Sequence, residues 1–279
     1  MITEKGNASG SAFKFPNTVY NAAGGYLSIC SGIKGYNVTV TNGAQSGLAS
    51  MAYAMSVLRS GQENAMLATG SDENSDIMTE LFGKLGVTSE NVVAPFAGND
   101  GFVLSDGSAS VLIEDEKAAK ERGARIYCHA SGYGMAHSSV KFGTLTGSEA
   151  GLTNAVNNAL ADAGMTIDDI DAVFGFANGM KAVDDVEIKG LTAVFGDKLA
   201  EKPVVELKEV LGESRAAAAT TAAAHAALMF AGKIPSQEAY SIAADGSVSK
   251  TNVEASKLNN VLVVAYGAGG SYTAIVLSK

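Results

Sequence analysis

An α/β fold, built in layers from two successive units, is the class this sequence predicts, and three observations carry the prediction. Short β-branched or continuous apolar runs alternate with segments of helical spacing from about residue 37 to the end. At 279 residues the chain has room for one large domain or two intimate halves. It is 47% apolar, enough to fill such cores and to exclude a disordered or low-complexity chain.

The elements follow in order. Residues 1–36 are Gly/Asn-rich and read as irregular, with one stretch, VYNAAGGYLSICSGI, suited to a helix. NVTVTN alternates and is β-branched, so it reads as a strand. SGLASMAYAMSVLRSGQ has helical spacing, small residues on one face and Gly61 as a stop. AMLATG at 65–70 reads as a continuous apolar strand of a buried parallel sheet. SDIMTELFGKLG is a helix, GFVLS and SASVLIED are strands, and EKAAKERG is a short charged helix. The division into 1–123 and 124–279 falls here. In the second unit ARIYCHASGYGM, AVFGFA and PVVELK read as strands. SEAGLTNAVNNALADAGM, DDVEIKGLTAVFG and SRAAAATTAAAHAALMFAGK read as helices, the last packing tightly between sheets because its residues are small. NNVLVVAYGAGGSYTAIVLSK reads as a closing hairpin with a glycine-rich bend.

Bulk chemistry narrows the function. Net charge is −9, which argues against a nucleic-acid surface and against an acidic partner on this chain's average surface. No apolar run reaches membrane-span length, and MITEKGNASGS lacks the layout of a signal peptide. Cys30 and Cys128 form no CxxC, and His129, His137 and His225 show no ligand spacing. The expectation is a reduced, cytoplasmic protein with no zinc site and no cofactor.

The strand, sharp turn and helix across residues 37–62 form an elbow of the kind that seats a nucleophile at a helix N-terminus. The residue at the bend, in TNGAQSG, is Ala44, which has no nucleophilic atom.

Four segments in order resemble the β-ketoacyl synthases, a thiolase-type family. FPNTVYNAAGGYLSICSGIKGYNVTVTNGAQSG resembles the run into that family's nucleophile elbow. PFAGNDGFVLSDGSASVLIEDEKAAKERGARIYCHASGYGM resembles the passage between its halves. FGDKLAEKPVVELKEVLGESRAAAATTAAAHAALMFAGKIPS resembles the segment of its second catalytic histidine, and AYGAGGS its terminal loop. The resemblance implies a layered α-β-α-β-α fold. It implies a Cys-His-His set for decarboxylative condensation, in which a cysteine carries the acyl chain and two histidines serve the enolate and oxyanion.

Carried over position by position, that set is degenerate. Ala44 stands at the cysteine, or Gln45 if the alignment slips by one residue. Asn178 stands at the first histidine in ANGMKAVD, with Gly179 kept and Met180 and Ala182 at the two threonines. Glu213 stands at the second histidine in LGES. Lys208 in ELKEV matches the family's lysine, and Tyr266 and Ala268 stand at the two aromatic positions of the terminal loop. Without a thiolate no acyl-enzyme forms. Asn178 donates a hydrogen bond but does not titrate near neutrality, and an anionic Glu213 would repel an oxyanion. Lys208 reads either as a buried lysine paired with an acid or as a solvated strand-end lysine.

The resemblance is greatest to the inactive chain length factors of type II polyketide systems. It implies a heterodimer with an active ketosynthase, whose acyl tunnel this chain helps to wall, and an acyl carrier protein docking mainly on that partner. The family's dimers pair through the strand before the elbow, here Asn37, Val38, Thr39, Val40 and Thr41. Only 43 residues precede Ala44, so the N-terminal half reads as truncated, with a further polypeptide or the partner subunit expected to supply its strands. Two alternatives stand beside this reading: a malonyl-carrier decarboxylase using Gln45 and Asn178, and a subunit that only scaffolds.

Overall fold

The computed structural model describes residues 13–141 and 147–279. The irregular start read at residues 1–12 lies outside the described residues. The chain separates into two compact units, Met1–Thr41 and Asn42–Lys279.

In the first unit the expected helix forms as α1 (Ala22–Ser31) and ends at Gly32 in the left-handed conformation. None of its residues is buried. Asn37–Thr41 belongs to no β-ladder, contrary to the strand read there. Alternation makes a segment competent to pair; the ladder itself needs a neighbouring strand.

The second unit opens with α2 (Ser46–Arg59), followed by β1 (Ala65–Asp72), α3 (Asp76–Lys84), β2 (Gly107–Glu114) and α4 (Glu116–Glu121). Gly61 stops α2 at φ +72°, as its position predicts. β1 pairs with β2 antiparallel, with Leu67 opposite Leu112. The parallel, fully buried strand expected at 65–70 is therefore corrected. One face of this pair packs on helices, whereas Leu67 and Leu112 on the other are 38% and 55% exposed. GFVLS forms only isolated bridges at Phe102 and Leu104.

The remaining elements are β3 (His129–His137), α5 (Glu149–Ala163), β4 (Ala172–Phe174), α6 (Lys181–Phe195), β5 (Val204–Val205), α7 (Lys208–Leu211), α8 (Ala216–Phe230), β6 (Ser236–Ile242), β7 (Val248–Glu254), β8 (Asn260–Gly267) and β9 (Ser271–Ser278). Among the described residues they build a seven-stranded mixed sheet in the order β3-β9-β8-β4-β5-β6-β7. The strands expected at 124–135, 172–177 and 203–208 are shorter or start later. In the last two, the chain leaves the sheet early to deliver Asn178 and Lys208 to the site.

The closing hairpin explains the layering. Along β8, Val261, Val263 and Ala265 pack into one core, while Leu262, Val264 and Tyr266 pack into the other. β9 alternates likewise, with Ile275 and Leu277 against Val276 and Tyr272. Both faces are buried, so the strands are apolar throughout. α5 and α6 cover one face of the sheet, α2 and α8 cover the other, and β1–β2 lies beyond α2 and α8. Four layers in α-β-α-β order result. No helix of the described residues is long and apolar enough to cross a membrane.

Candidate functional site

The site forms where α2 begins, where β4 and β5 end, and where α8 passes beneath β8. A small pocket there is lined by Ala44, Gly175, Phe176, Lys208, Ala219 and Tyr266, among others. Three positions chosen from the sequence, Ala44, Lys208 and Tyr266, thus meet in space. The close approach of α2 and β1 to α8 depends on glycine. A Cβ on Gly47 or Gly70 would overlap Ala216 O and Thr220 Oγ1.

Lys208 is the buried, paired lysine of the two readings. Its Nζ donates to Glu213 Oε2 at 2.7 Å and to Phe176 O at 3.0 Å, and its side chain is 12% exposed against 6% for that of Glu213. Asn178 Nδ2 donates to the same Glu213 oxygen at 2.9 Å. The other oxygen, Oε1, accepts from the Arg215 backbone N–H at 2.9 Å. Glu213 therefore joins Asn178 and Lys208 through one carboxylate oxygen. A buried carboxylate with three donors is well satisfied.

Arg215 holds the strained geometry behind this arrangement. Its φ is +49°, unusual for a residue with a side chain. Its guanidinium bonds Asp72 Oδ1 at 2.6 Å, Asn74 Oδ1 at 3.3 Å and Glu73 O at 2.9 Å, tying the loop before α8 to the end of β1.

Gln45 points elsewhere. It is fully buried, and its Oε1 accepts from Thr273 Oγ1 on β9. Its Nε2 has no partner among the described residues. Ala44, not Gln45, lines the pocket, so the unslipped placement of Ala44 at the elbow fits the geometry. The decarboxylase alternative asks Gln45 and Asn178 to face one substrate. The structure turns Gln45 toward Thr273 and engages Asn178 with Glu213. Ala268 is exposed in the bend after β8, beside Gly269 at φ +106° and Gly270 at φ +92°. Asn37–Thr41 lies in the other compact unit.

The structure adds three acids that sequence reasoning did not single out. Asp184 on α6 accepts from the backbone N–H groups of Phe96 at 2.7 Å, Asn178 at 3.0 Å and Gly179 at 3.3 Å, and so positions Asn178. Burial pushes its carboxyl up to about 6. Glu187 and Glu206 lie deeper, and burial raises both, Glu206 well above the usual range with Glu187's charge adding to it. Tyr266, also desolvated, is pushed up to about 12, so its phenol is neutral. The signal for the acids was present in DDVEIKG and VVELK as charged residues at positions that the helix and strand periods place inward.

Among the described residues no cluster of three or more His, Cys, Asp or Glu is arranged to hold a metal ion.

Comparison with known proteins agrees with this architecture. The family description "Beta-ketoacyl synthase, N-terminal domain" matches residues 1–119, and "Beta-ketoacyl synthase, C-terminal domain" matches residues 127–240. The chain is 30% identical over 204 residues to 3-oxoacyl-[acyl-carrier-protein] synthase 2 of Vibrio cholerae, covering 70% of this chain and 49% of that protein. It spans about half the length of such curated relatives. Its fold resembles the ishigamide ketosynthase/chain length factor, with TM-score 0.82 and 24% identity over 94% of this chain and 65% of the other. It also resembles a chain in a type II PKS acyl-carrier protein complex with its ketosynthase, with TM-score 0.83 and 20% identity over 98% and 70% of the two chains. With the thiolase-like layers and the elbow in place, this chain belongs to the beta-ketoacyl synthase family.

Proposed function

We propose that this chain is a non-catalytic chain length factor. It pairs with an active ketosynthase, and its side chains wall part of the tunnel into which the acyl chain grows in type II polyketide or related polyene and fatty-acid-like synthesis. The observation that carries the reading is the Ala44 pocket. Ala44 offers it no nucleophile, and Lys208 in its wall is paired with Glu213, which also binds Asn178. An oxyanion would have to compete with the Glu213 carboxylate for the Asn178 amide and the Lys208 ammonium, with that negative charge beside it. The layered scaffold that positions such a site is nonetheless kept.

A partner is supported by the surface. Large apolar side chains are exposed in each unit, Phe13, Tyr20 and Ile29 in the first and Ile77 and Val92 in the second, as suits surface that a partner covers. Strands adding to β1 or β2 from a further polypeptide belong to the same reading, because each has one edge unpaired among the described residues. Acyl carrier protein docks through the ketosynthase partner, since both the carrier and this chain are acidic. The protein works in the cytoplasm.

The test is reconstitution with an intact ketosynthase and malonyl-carrier protein. The isolated chain is expected neither to decarboxylate nor to condense the malonyl group. With the partner, enlarging an alanine at the pocket wall, as in Ala219→Leu, is expected to shorten the product. Unchanged product length would favour a scaffold, and decarboxylation by the isolated chain would overturn the non-catalytic reading.

A further inference from the structure

Beside the pocket, β4 and β5 run parallel for two register pairs and then part. Gly175 follows β4, Glu206 follows β5, and the Gly175 N–H still donates to Val205 O at 3.0 Å. Glu187 reaches into the same gap from α6. Its Oε2 accepts from the Phe176 N–H at 2.6 Å. Its Oε1 and both oxygens of Glu206 meet no N–H or O–H donor among the described residues, although both side chains are buried. The two Oε1 atoms converge, since a Cβ on Gly175 would overlap both of them. Two ionised carboxylates held so close, away from water, repel with nothing to screen them. A carboxyl facing a carboxylate instead forms a strong charge-assisted hydrogen bond and gives each acid the partner it lacks.

We propose that Glu187 and Glu206 hold one proton between them, and that this O–H···O bond is a pH-sensitive latch joining the chain ends that leave β4 and β5. When the proton leaves for water, one O–H bond breaks and both acids become anions. Their repulsion then separates Gly175–Asn178 from Glu206–Lys208, and with them the pocket wall at Gly175, Phe176 and Lys208.

The groups that act on the pair come from each packed element. Asp184 on α6 adds negative charge and favours keeping the proton. Lys208, two residues beyond Glu206, favours ionisation but is bonded to Glu213, which offsets it. Tyr266 on β8 is a neutral phenol, and α8 presents alanines at this wall. One lysine already paired cannot neutralise two further carboxylates. The latch goes beyond the chain length factor reading and does not depend on it.

The test is unfolding of the full chain across a pH series above pH 7, where Asp184 is already ionised, beside Glu206→Gln and Glu187→Gln. The folded parent holds a proton that the unfolded chain releases, so this pair alone raises the unfolding constant about tenfold per pH unit until the latch ionises. In Glu206→Gln the amide N–H takes over the bond to Glu187, and the slope is expected to fall by one proton. Infrared spectra at pH 8 are expected to show a protonated-carboxyl C=O band in the parent that Glu206→Gln lacks. Equal slopes in parent and variant, or no such band in the parent, would overturn the proposal. Should both variants fail to fold, the parent's band decides it.

Discussion

The residue that most defines the site is Glu213. From sequence it reads as a charge hostile to an oxyanion; in the structure it also engages Lys208 and Asn178. Removing one partner of a buried ion pair leaves the other uncompensated. Glu213→Ala is therefore expected to destabilise the fold by about 3–5 kcal/mol, and Glu213→Ala with Lys208→Met to recover most of that loss, as read by denaturant unfolding. Asp184 gives a second residue-scale prediction. Its folded-state value, about 6, lies above the ordinary 3.8, so the folded chain holds a proton that the unfolded chain releases. Its contribution is fully present below about pH 4 and is lost as pH rises through about 6, to the extent of about 3 kcal/mol. Asp184→Asn is expected to flatten unfolding stability in that window while lowering it overall, because an amide has a single acceptor oxygen for three backbone donors. That Lys208 lies near both Ala44 and Glu213, and Asn178 near Glu213, agrees with the short motifs in which the sequence sets them. The roles of Asp184 and Glu187 on α6 and of Glu206 after β5 were not legible in the sequence, since a charged residue reads as solvated until the packing shows which way it faces.

At the scale of elements, the legible parts were those with a strong period and a clear stop. α2 ends before Gly61, and the β8–β9 hairpin turns at its glycines. The β6–β7 hairpin went unread, although its Asp245-Gly246 turn between alternating strands is a hairpin signal. Parallel or antiparallel pairing at β1 was illegible for a different reason. A run such as AMLATG states that it pairs but not with which neighbour, and burial on one face only is settled by what lies beyond it. The same holds for Asn37–Thr41, whose alternation has no ladder to enter within its unit. The packing of α2 on α8 yields a prediction. Gly47→Ala places a methyl against the Ala216 carbonyl oxygen and the Thr220 hydroxyl at a position already filled. It is expected to cost on the order of 1–3 kcal/mol by thermal or denaturant unfolding, whereas Gly61→Asn, at an open helix stop, should cost much less.

At the scale of the whole molecule, the family's layers surround a pocket where, in the proposed reading, the reactive groups are replaced. The β4 and β5 ends, the α2 start and the α8 glycine contacts all position a pocket. Scaffold and pocket without nucleophile suit a subunit that shapes a partner's chemistry. As a non-catalytic subunit, this chain would leave the acyl chemistry to its partner. Intact-mass analysis of both subunits, after the reconstituted complex is incubated with an acyl-loaded carrier protein, is expected to find an acyl adduct on the ketosynthase subunit and none on this chain. A covalent acyl adduct on this chain would sink that reading.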